Sequence, residues 1–280
     1  MKVIIKSILI VLFAVFIAGA EDNISALIKL LQSPLIVERR DAVIKLGELG
    51  PASITAVMPL TKTLKDESGE IRILSAEALG EIGPCAIDAL PFLIEAMNDN
   101  NVGVKKAAVN SIGEMGSIAK SAIPDLVNAL FTWDTLINEK TCAKTLVKIG
   151  EFSIPAMCDL IENNNKRIVL TGIWCLGEIR FSSKQTLTVL SKNVLSFDHE
   201  ICDSSLIALE KIGTSSIPVL INGLQSKYSY NRKQCINTLS RMGKPALESL
   251  SKLEEMRLRD GDTAVRASAN LAVIKLKSLE

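Results

Sequence analysis

Apolar residues and glycines recur along this chain with a period of about 33 residues. Each occurrence is a five-residue corner segment that begins with a branched aliphatic residue and usually ends with glycine. Seven corner segments are present: Leu46–Gly50, Leu79–Gly83, Ile112–Gly116, Leu146–Gly150, Leu176–Arg180, Leu209–Gly213 and Leu239–Gly243. A fixed period of this length predicts a repeat protein, in which each unit buries its apolar face against the next unit.

Each repeat reads as two helices. Before the corner, apolar and small residues follow helical spacing, most clearly in Glu70–Gly80, which predicts a helix B. Helix A of a repeat often opens with proline, which the first helical turn tolerates. These prolines are Pro59, Pro91, Pro124, Pro155 and Pro218. Glycine favours a helix end that needs a positive φ, so we expect Gly80 and Gly113 to adopt positive φ or to allow close packing.

The motif resembles a known repeat family. The second repeat reads Ile71-Arg72, Ser75-Ala76, Ala78-Leu79-Gly80 and Ile82-Gly83, and is similar to the HEAT-like repeats of the phycobiliprotein-lyase type. The similarity extends over about residues 23–277. It implies an all-α, right-handed superhelical α-solenoid of about eight HEAT-like helix-pair repeats, with the B helices lining the concave side.

The resemblance also implies a basic residue in helix B that pairs with an acid at a turn and ties neighbouring repeats together. Arg39, Arg72, Lys105, Arg232 and Arg266 hold this position, whereas the middle repeats have Glu139, Val169 and Cys202. We therefore expect a less regular stack in the middle of the chain. The last unit is rich in Lys, Glu and Arg, which predicts a capping repeat with a polar outer face.

The first 20 residues have the composition of a secretory signal. Lys2 and Lys6 precede an apolar run, and Ala18–Ala20 supplies the small residues that a signal peptidase accepts. An uncleaved anchor is the alternative, but the 14 residues of Ser7–Ala20 fall short of the roughly 20 that span a bilayer. We expect a signal peptide at 1–20, a solenoid at 21–280, export to the periplasm or the medium, and no stable membrane insertion after cleavage.

The net charge and the positions of the cysteines bear on nucleic-acid binding and on disulfide bonds. A formal net charge of +1 argues against generic nucleic-acid binding, which needs a large basic excess. The 6 cysteines of an exported chain could form disulfides. Cys142, Cys175 and Cys235 instead share one stripe of helix B, so they point in the same direction and favour buried free thiols. If any pair forms, Cys158 and Cys175 are the best candidates.

Catalytic signals are weak. His199 is the single histidine and lies in the polar segment Phe197–Glu200, which favours a solvated position at a helix start. The sequence has no His-x-x-x-His pair, no clustered Cys-x-x-Cys and no glycine-rich phosphate loop. We therefore expect no catalytic residue, no metal site and no cofactor.

Two positions of helix B share one helical face and carry the candidate site. The third corner residue is acidic in the first half of the chain and mostly basic afterwards, with Lys148, Lys211 and Arg241. Two residues before the corner, polar side chains dominate, and Trp174 and Ile207 are apolar residues at this position in adjacent repeats. Exposed aromatic residues are typical binding anchors, so these five residues predict a partner-binding groove. The alternatives are a solvated charged face and a Trp174 that is buried by a local change in curvature.

Together these features predict an exported, non-enzymatic scaffold that binds a protein or peptide in its concave groove. Two alternatives stay open. By resemblance, the protein could assist attachment of a chromophore or cofactor, or it could be a structural component of an envelope assembly that is held by end-to-end contacts.

The signal segment gives a direct prediction. Cleavage after Ala20 should leave a mature chain that begins at Glu21. N-terminal sequencing of the protein from its native host checks this. A full-length chain recovered from the cytosol would contradict it.

Overall fold

The computed structural model describes residues 23–132 and 136–279, so the predicted signal peptide at 1–20 lies outside the described residues. The described residues are almost entirely helical, and none of them lies in a strand. The chain divides into two compact units at the junction of Ile149 and Gly150. In each unit, helices follow one another in A–B pairs.

The first unit contains four pairs. Residues 23–30 form helix α1. The following helices are α2 (Ile36–Glu48), α3 (Val57–Thr63), α4 (Gly69–Ile82), α5 (Leu90–Ala96), α6 (Val102–Met115), α7 (Ile123–Thr132) and α8 (Leu136–Ile149). Short 3-10 segments connect each B helix to the next A helix, at Gly50–Ala56, Gly83–Ala89 and Gly116–Ala122.

The second unit contains four further pairs: α9 (Ile154–Ile161), α10 (Lys166–Ile179), α11 (Lys184–Val194), α12 (His199–Ile212), α13 (Ile217–Gly223), α14 (Ser229–Met242), α15 (Leu250–Arg259) and α16 (Thr263–Lys277). Its 3-10 segments are Gly150–Ser153, Thr214–Ser216 and Lys244–Ser249. The eight pairs confirm the predicted all-α solenoid of HEAT-like repeats.

The glycines of the corner segments have two different structural roles, which depend on their position in the segment. The last glycine of the corner takes a positive φ, as at Gly83 (+66°) and Gly116 (+65°). Arg180 stands at this position in one repeat and takes the same left-handed conformation, with φ 56°. Gly80 and Gly113 lie inside helices α4 and α6 and serve close packing instead.

Neighbouring B helices approach each other at backbone distance. A β-carbon on Gly80 would lie 3.0 Å from the Cα atom of Ser111 on the next B helix. The same contact recurs in the second unit, where a β-carbon on Gly177 would lie 2.9 Å from the Cα atom of Ala208. Because the residue immediately before each corner is small in these pairs, the helices interlock without strain.

A guanidinium links successive turns, as the resemblance implied. Arg39 Nε donates to Asp66 Oδ2 at 2.8 Å, and Arg72 Nε donates to Asp99 Oδ2 at 2.8 Å. In both pairs the Nη2 atom of the guanidinium also donates to Oδ1 of the same aspartate. The side chains of both pairs are at most 16% exposed. Forked, charge-assisted bonds of this kind are among the stronger polar contacts in proteins. They hold the pKa of Asp99 below its usual range, mainly through the Arg72 hydrogen bond.

In the middle of the second unit, other residues replace the arginine–aspartate link between successive turns. Val169 and Cys202 replace the arginine there, and the buried amide of Asn231 donates instead to the carbonyl oxygens of Val194 and Ser196. Lys166 Nζ pairs with Asp198 at 2.8 Å. The arginine link returns at Arg232.

Five of the six cysteines are buried and Cys85 is exposed; all six are free thiols in the structure. Burial raises the pKa of Cys158 to about 11 and the pKa values of Cys175 and Cys202 to about 12. A buried thiol that stays protonated is a poor nucleophile and a poor metal ligand. These side chains therefore act as small apolar residues of the core.

The last repeat departs from its prediction. We expected a polar outer face, but Leu258, Leu271 and Ile274 are 70%, 69% and 59% exposed. The composition of this repeat is rich in charged residues, yet these three apolar side chains lie largely in water.

The helix contact gives a test of the fold. Gly80→Val should lower the free energy of unfolding by about 1–3 kcal/mol, because the new side chain meets the backbone of the next helix. Chemical denaturation measures the change. As a control, Gly261→Ala should have little effect, since no heavy atom lies within 4 Å of a β-carbon there. Equal stability of the Gly80 variant and the wild type would show that the close contact is absent.

Candidate functional site

Trp174 and Ile207 lie on the exposed face of two neighbouring B helices, α10 and α12. Their exposed fractions are 40% and 52%. The residues beside them turn inward: Cys175 and Leu176 are at most 1% exposed, and Leu206 is 2% exposed. One stripe of each helix thus faces the core, while the stripe two residues before the corner faces outward.

The same position is apolar and exposed at a third place in the second unit. Leu271 of α16 is 69% exposed. Sequence reasoning missed this residue because the position was counted from the glycine corner, which the eighth repeat lacks. The alignment of Arg266 with Arg232 gave the register that would have found it, since Leu271 then corresponds to Asn237.

The basic residues of the predicted site are paired with carboxylates. Lys211 Nζ lies 2.5 Å from Glu178 Oε1, and Arg241 Nη2 lies 2.8 Å from Glu210 Oε2. In each pair the acid belongs to the preceding B helix. Each of these two basic side chains is therefore neutralised by a carboxylate of the neighbouring helix. The 33-residue spacing of Glu178 and Lys211 was the signal for such pairs.

Lys148 belongs to the first unit, at the end of α8, whereas the other four predicted residues belong to the second unit. Its Nζ atom lies 2.6 Å from Glu114 Oε1 of α6, and both side chains are about half exposed. The described site in the second unit is therefore Trp174, Ile207, Lys211 and Arg241. We refer to these four residues as the B-helix patch.

The B helices of the first unit carry the predicted acidic face. Glu81 is partly covered, and burial together with the nearby Glu77 and Glu48 raises the pKa of its carboxyl group. An open depression of about 410 Å³ is lined by Glu77, Gly80, Glu81, Asn110, Ser111 and Glu114. The carboxylates on this face repel one another. A positively charged group that binds between them would therefore be stabilised.

His199 is exposed at the first position of α12, as expected for a helix-start residue. Its ring stacks on Tyr230 with 3.7 Å between the centroids. Tyr230 in turn donates to Asp203 Oδ2 at 2.6 Å. The stack fixes a surface cluster at the start of two B helices, and sequence analysis did not foresee it.

Within the described ranges, no group of three or more His, Cys, Asp or Glu side chains could hold a metal ion. The helices described are also each too short or too polar to span a bilayer. The geometry of the described residues accordingly supplies surfaces for contact, built from apolar side chains and ion pairs on the B helices.

The class of protein follows from this geometry: a stack of helix pairs joined by glycine corners is an α-solenoid. Residues 24–102 and 60–139 match the family of HEAT repeats, so this part of the chain is built of HEAT repeats. No curated protein sequence matches the chain.

Solved structures with the same fold come from varied proteins. The archaeal HEAT-like repeats protein from Thermococcus onnurineus NA1 is 17% identical, with a TM-score of 0.48, over 91% of this chain and 97% of that one. The complex of CpcE and CpcF of phycocyanin lyase from Nostoc sp. PCC7120 is 21% identical, with a TM-score of 0.44, over 92% and 94%. Human deoxyhypusine hydroxylase is 15% identical, with a TM-score of 0.37, over 93% and 98%. At TM-scores below 0.5, these likenesses carry no argument about this chain.

The exposure of Trp174 gives a test within one helix. Trp174→Ala should cost about 1 kcal/mol of stability, since much of the ring is in water. Leu176→Ala, two residues away and 1% exposed, should cost about 2–5 kcal/mol because it leaves a cavity. Denaturant titrations of both variants make the comparison. A Trp174 variant as unstable as the Leu176 variant would mean that the ring is a core residue.

Proposed function

We propose that the protein is an exported, non-enzymatic scaffold that binds a protein or peptide partner on the B helices of its second unit. The observation that carries this proposal is the exposure of Trp174 and Ile207 on two adjacent helices, both at the position two residues before the corner. Large apolar side chains that stay in water on neighbouring elements are typical of an interaction surface.

Trp174 is the anchor in this proposal. Tryptophan is enriched among the residues whose truncation costs most binding energy, because a rigid ring buries a large area. Ile207 extends the apolar surface across to the next helix. A partner that covers both side chains removes them from water, and this burial supplies most of the affinity.

The two ion pairs define the rim of the proposed site. Glu178–Lys211 and Glu210–Arg241 hold their side chains in place next to the apolar residues. A rim of paired charges offers both donors and acceptors to a partner and imposes no strong preference for an acidic or a basic one. Salt should therefore affect the association rate only modestly.

Binding can be tested by crosslinked recovery of partners from the native exported fraction. Trp174→Ala should abolish recovery of the specific partner, because loss of an anchor commonly costs about 2 kcal/mol or more. Phe181→Ala is the matched control: Phe181 is also aromatic and 46% exposed, but lies at the corner after α10, outside the patch. Its substitution should leave recovery unchanged.

Unchanged recovery with Trp174→Ala would contradict the proposal. The same preparation separates the alternatives. Visible absorbance that copurifies with the chain would favour a role in chromophore attachment, and recovery of the chain only in large envelope complexes would favour a structural component.

A further inference from the structure

One ion pair between neighbouring B helices occurs in both units of the chain. It joins the third corner residues of two successive B helices. Lys148 Nζ lies 2.6 Å from Glu114 Oε1, and Lys211 Nζ lies 2.5 Å from Glu178 Oε1. In both pairs the lysine belongs to the later helix and the glutamate to the earlier one. An ammonium group held between two B helices is thus a repeated feature of this protein.

In each pair the lysine side chain crosses a glycine of the earlier helix. A β-carbon on Gly113 would lie 3.1 Å from Cδ of Lys148, and a β-carbon on Gly177 would lie 3.7 Å from Cδ of Lys211. Each of these glycines immediately precedes the glutamate of its pair. The glycine therefore leaves room for the side chain of the next helix, and this contact positions the ammonium group next to the carboxylate.

The junction of α2 and α4 has the same arrangement with a carboxylate in place of the lysine. Gly47 precedes Glu48 on α2, and a β-carbon on Gly47 would meet Glu81 Oε2 of α4. Burial first, and then the charges of Glu77 and Glu48, raise the pKa of the Glu81 carboxyl group. In the described part of the chain, none of these three glutamates forms an ion pair. This junction therefore has the glycine and the acid of the recurring pair but lacks its cation.

The next junction, between α4 and α6, also joins two glutamates. Its third corner residues are Glu81 and Glu114, and an open depression of about 410 Å³ lies between the two helices. The carboxylates of Glu77, Glu81 and Glu114 line this depression together with the amide of Asn110. The depression gives a long basic side chain room to reach these carboxylates from solvent.

We propose that this face of α2, α4 and α6, formed by Glu48, Glu77, Glu81 and Glu114, binds a basic segment of a partner protein. We refer to these four residues as the acidic face. A lysine or arginine of the partner takes the place that a lysine of the chain holds at the two complete junctions. The acidic face belongs to the first unit, so the proposal does not depend on the B-helix patch of the second unit.

The spacing of the helices indicates the form of the partner segment. The two junctions without a cation follow one another, and neighbouring packed helices lie about 8–10 Å apart. Three residues of an extended or polyproline II chain span about 9–10 Å. A segment that crosses the B helices in extended form, with a basic side chain at every third residue, therefore places one cation at each junction.

The test uses two labelled peptides of identical composition. The probe is a fluorescein-labelled heptapeptide with lysine at its first, fourth and seventh positions and alanine between them. The control peptide has the same lysines next to one another. Fluorescence anisotropy measures binding of both to the full chain at low ionic strength, where exposed charges are least screened. We expect the probe to bind about threefold or more tightly than the control peptide, because its charges match the two junctions.

Glu81 contributes to both junctions, so its charge should matter most. Glu81→Gln should weaken binding of the probe by about fivefold or more. Glu70→Gln is the matched control, since Glu70 lies in the first turn of the same helix, about 16 Å from Glu81 along the axis. It removes the same charge and should bind the probe as the wild type does.

Glu81→Lys separates loss of the site from loss of the fold. The new ammonium group should pair with Glu48 across Gly47, as in the two complete junctions. We expect the melting temperature to rise by about 1–3 °C and binding of the probe to be lost. A variant that is more stable and no longer binds cannot owe its lost binding to unfolding.

Binding of the probe that Glu81→Gln does not weaken, or a lower melting temperature of Glu81→Lys, would overturn the proposal. Equal binding of the two peptides would overturn the extended form of the partner segment. Two further results would overturn the choice of a partner protein. Self-association of the chain that Glu81→Gln abolishes would assign the face to a second copy, and tighter probe binding after Lys2→Gln and Lys6→Gln would assign it to the start of the chain itself.

Discussion

The contact of one B helix with the next at backbone distance is the constraint on which the whole stack depends. The backbone of Ser111 packs closely against Gly80, and the backbone of Ala208 packs closely against Gly177. This approach is possible because glycine has no side chain. A helix held this closely can present only one face to its neighbour. The remaining positions are thereby assigned: one stripe to the core, one to the adjacent helix and one to water.

This assignment explains where the candidate surfaces lie. Side chains two residues before the corner are only partly covered by the stack, so an apolar residue there leaves much of its surface in water. Trp174 and Ile207 are such residues, and they are exposed on adjacent helices. In α16, Leu271 at the corresponding position is likewise exposed, at 69%.

The period, the helix pairs and the arginine–aspartate link were all predictable from the sequence. The period and the helix pairs depend on local residue types that recur along the chain, and the link came from the family resemblance. The pairing of Lys211 with Glu178 was not predicted, although both residues lie on one helical face at a 33-residue spacing. Face assignment alone does not show whether a charged side chain extends to solvent or bends toward the adjacent helix. The exposed Leu271 and Ile274 were missed for another reason: the exposed position was counted from the glycine corner, which the last repeat lacks, although Arg266 already gave its register.

Hydrogen exchange in the native first unit tests the central constraint most directly. If the contact between B helices holds the repeats together, the slowest-exchanging amides should lie in the C-terminal halves of α4 and α6, around Gly80 and Ser111. The amides of the short A helices α3 and α5 should exchange faster, because these helices open without separating the B helices. Slowest exchange in α3 and α5, with rapid exchange around Gly80, would contradict the account.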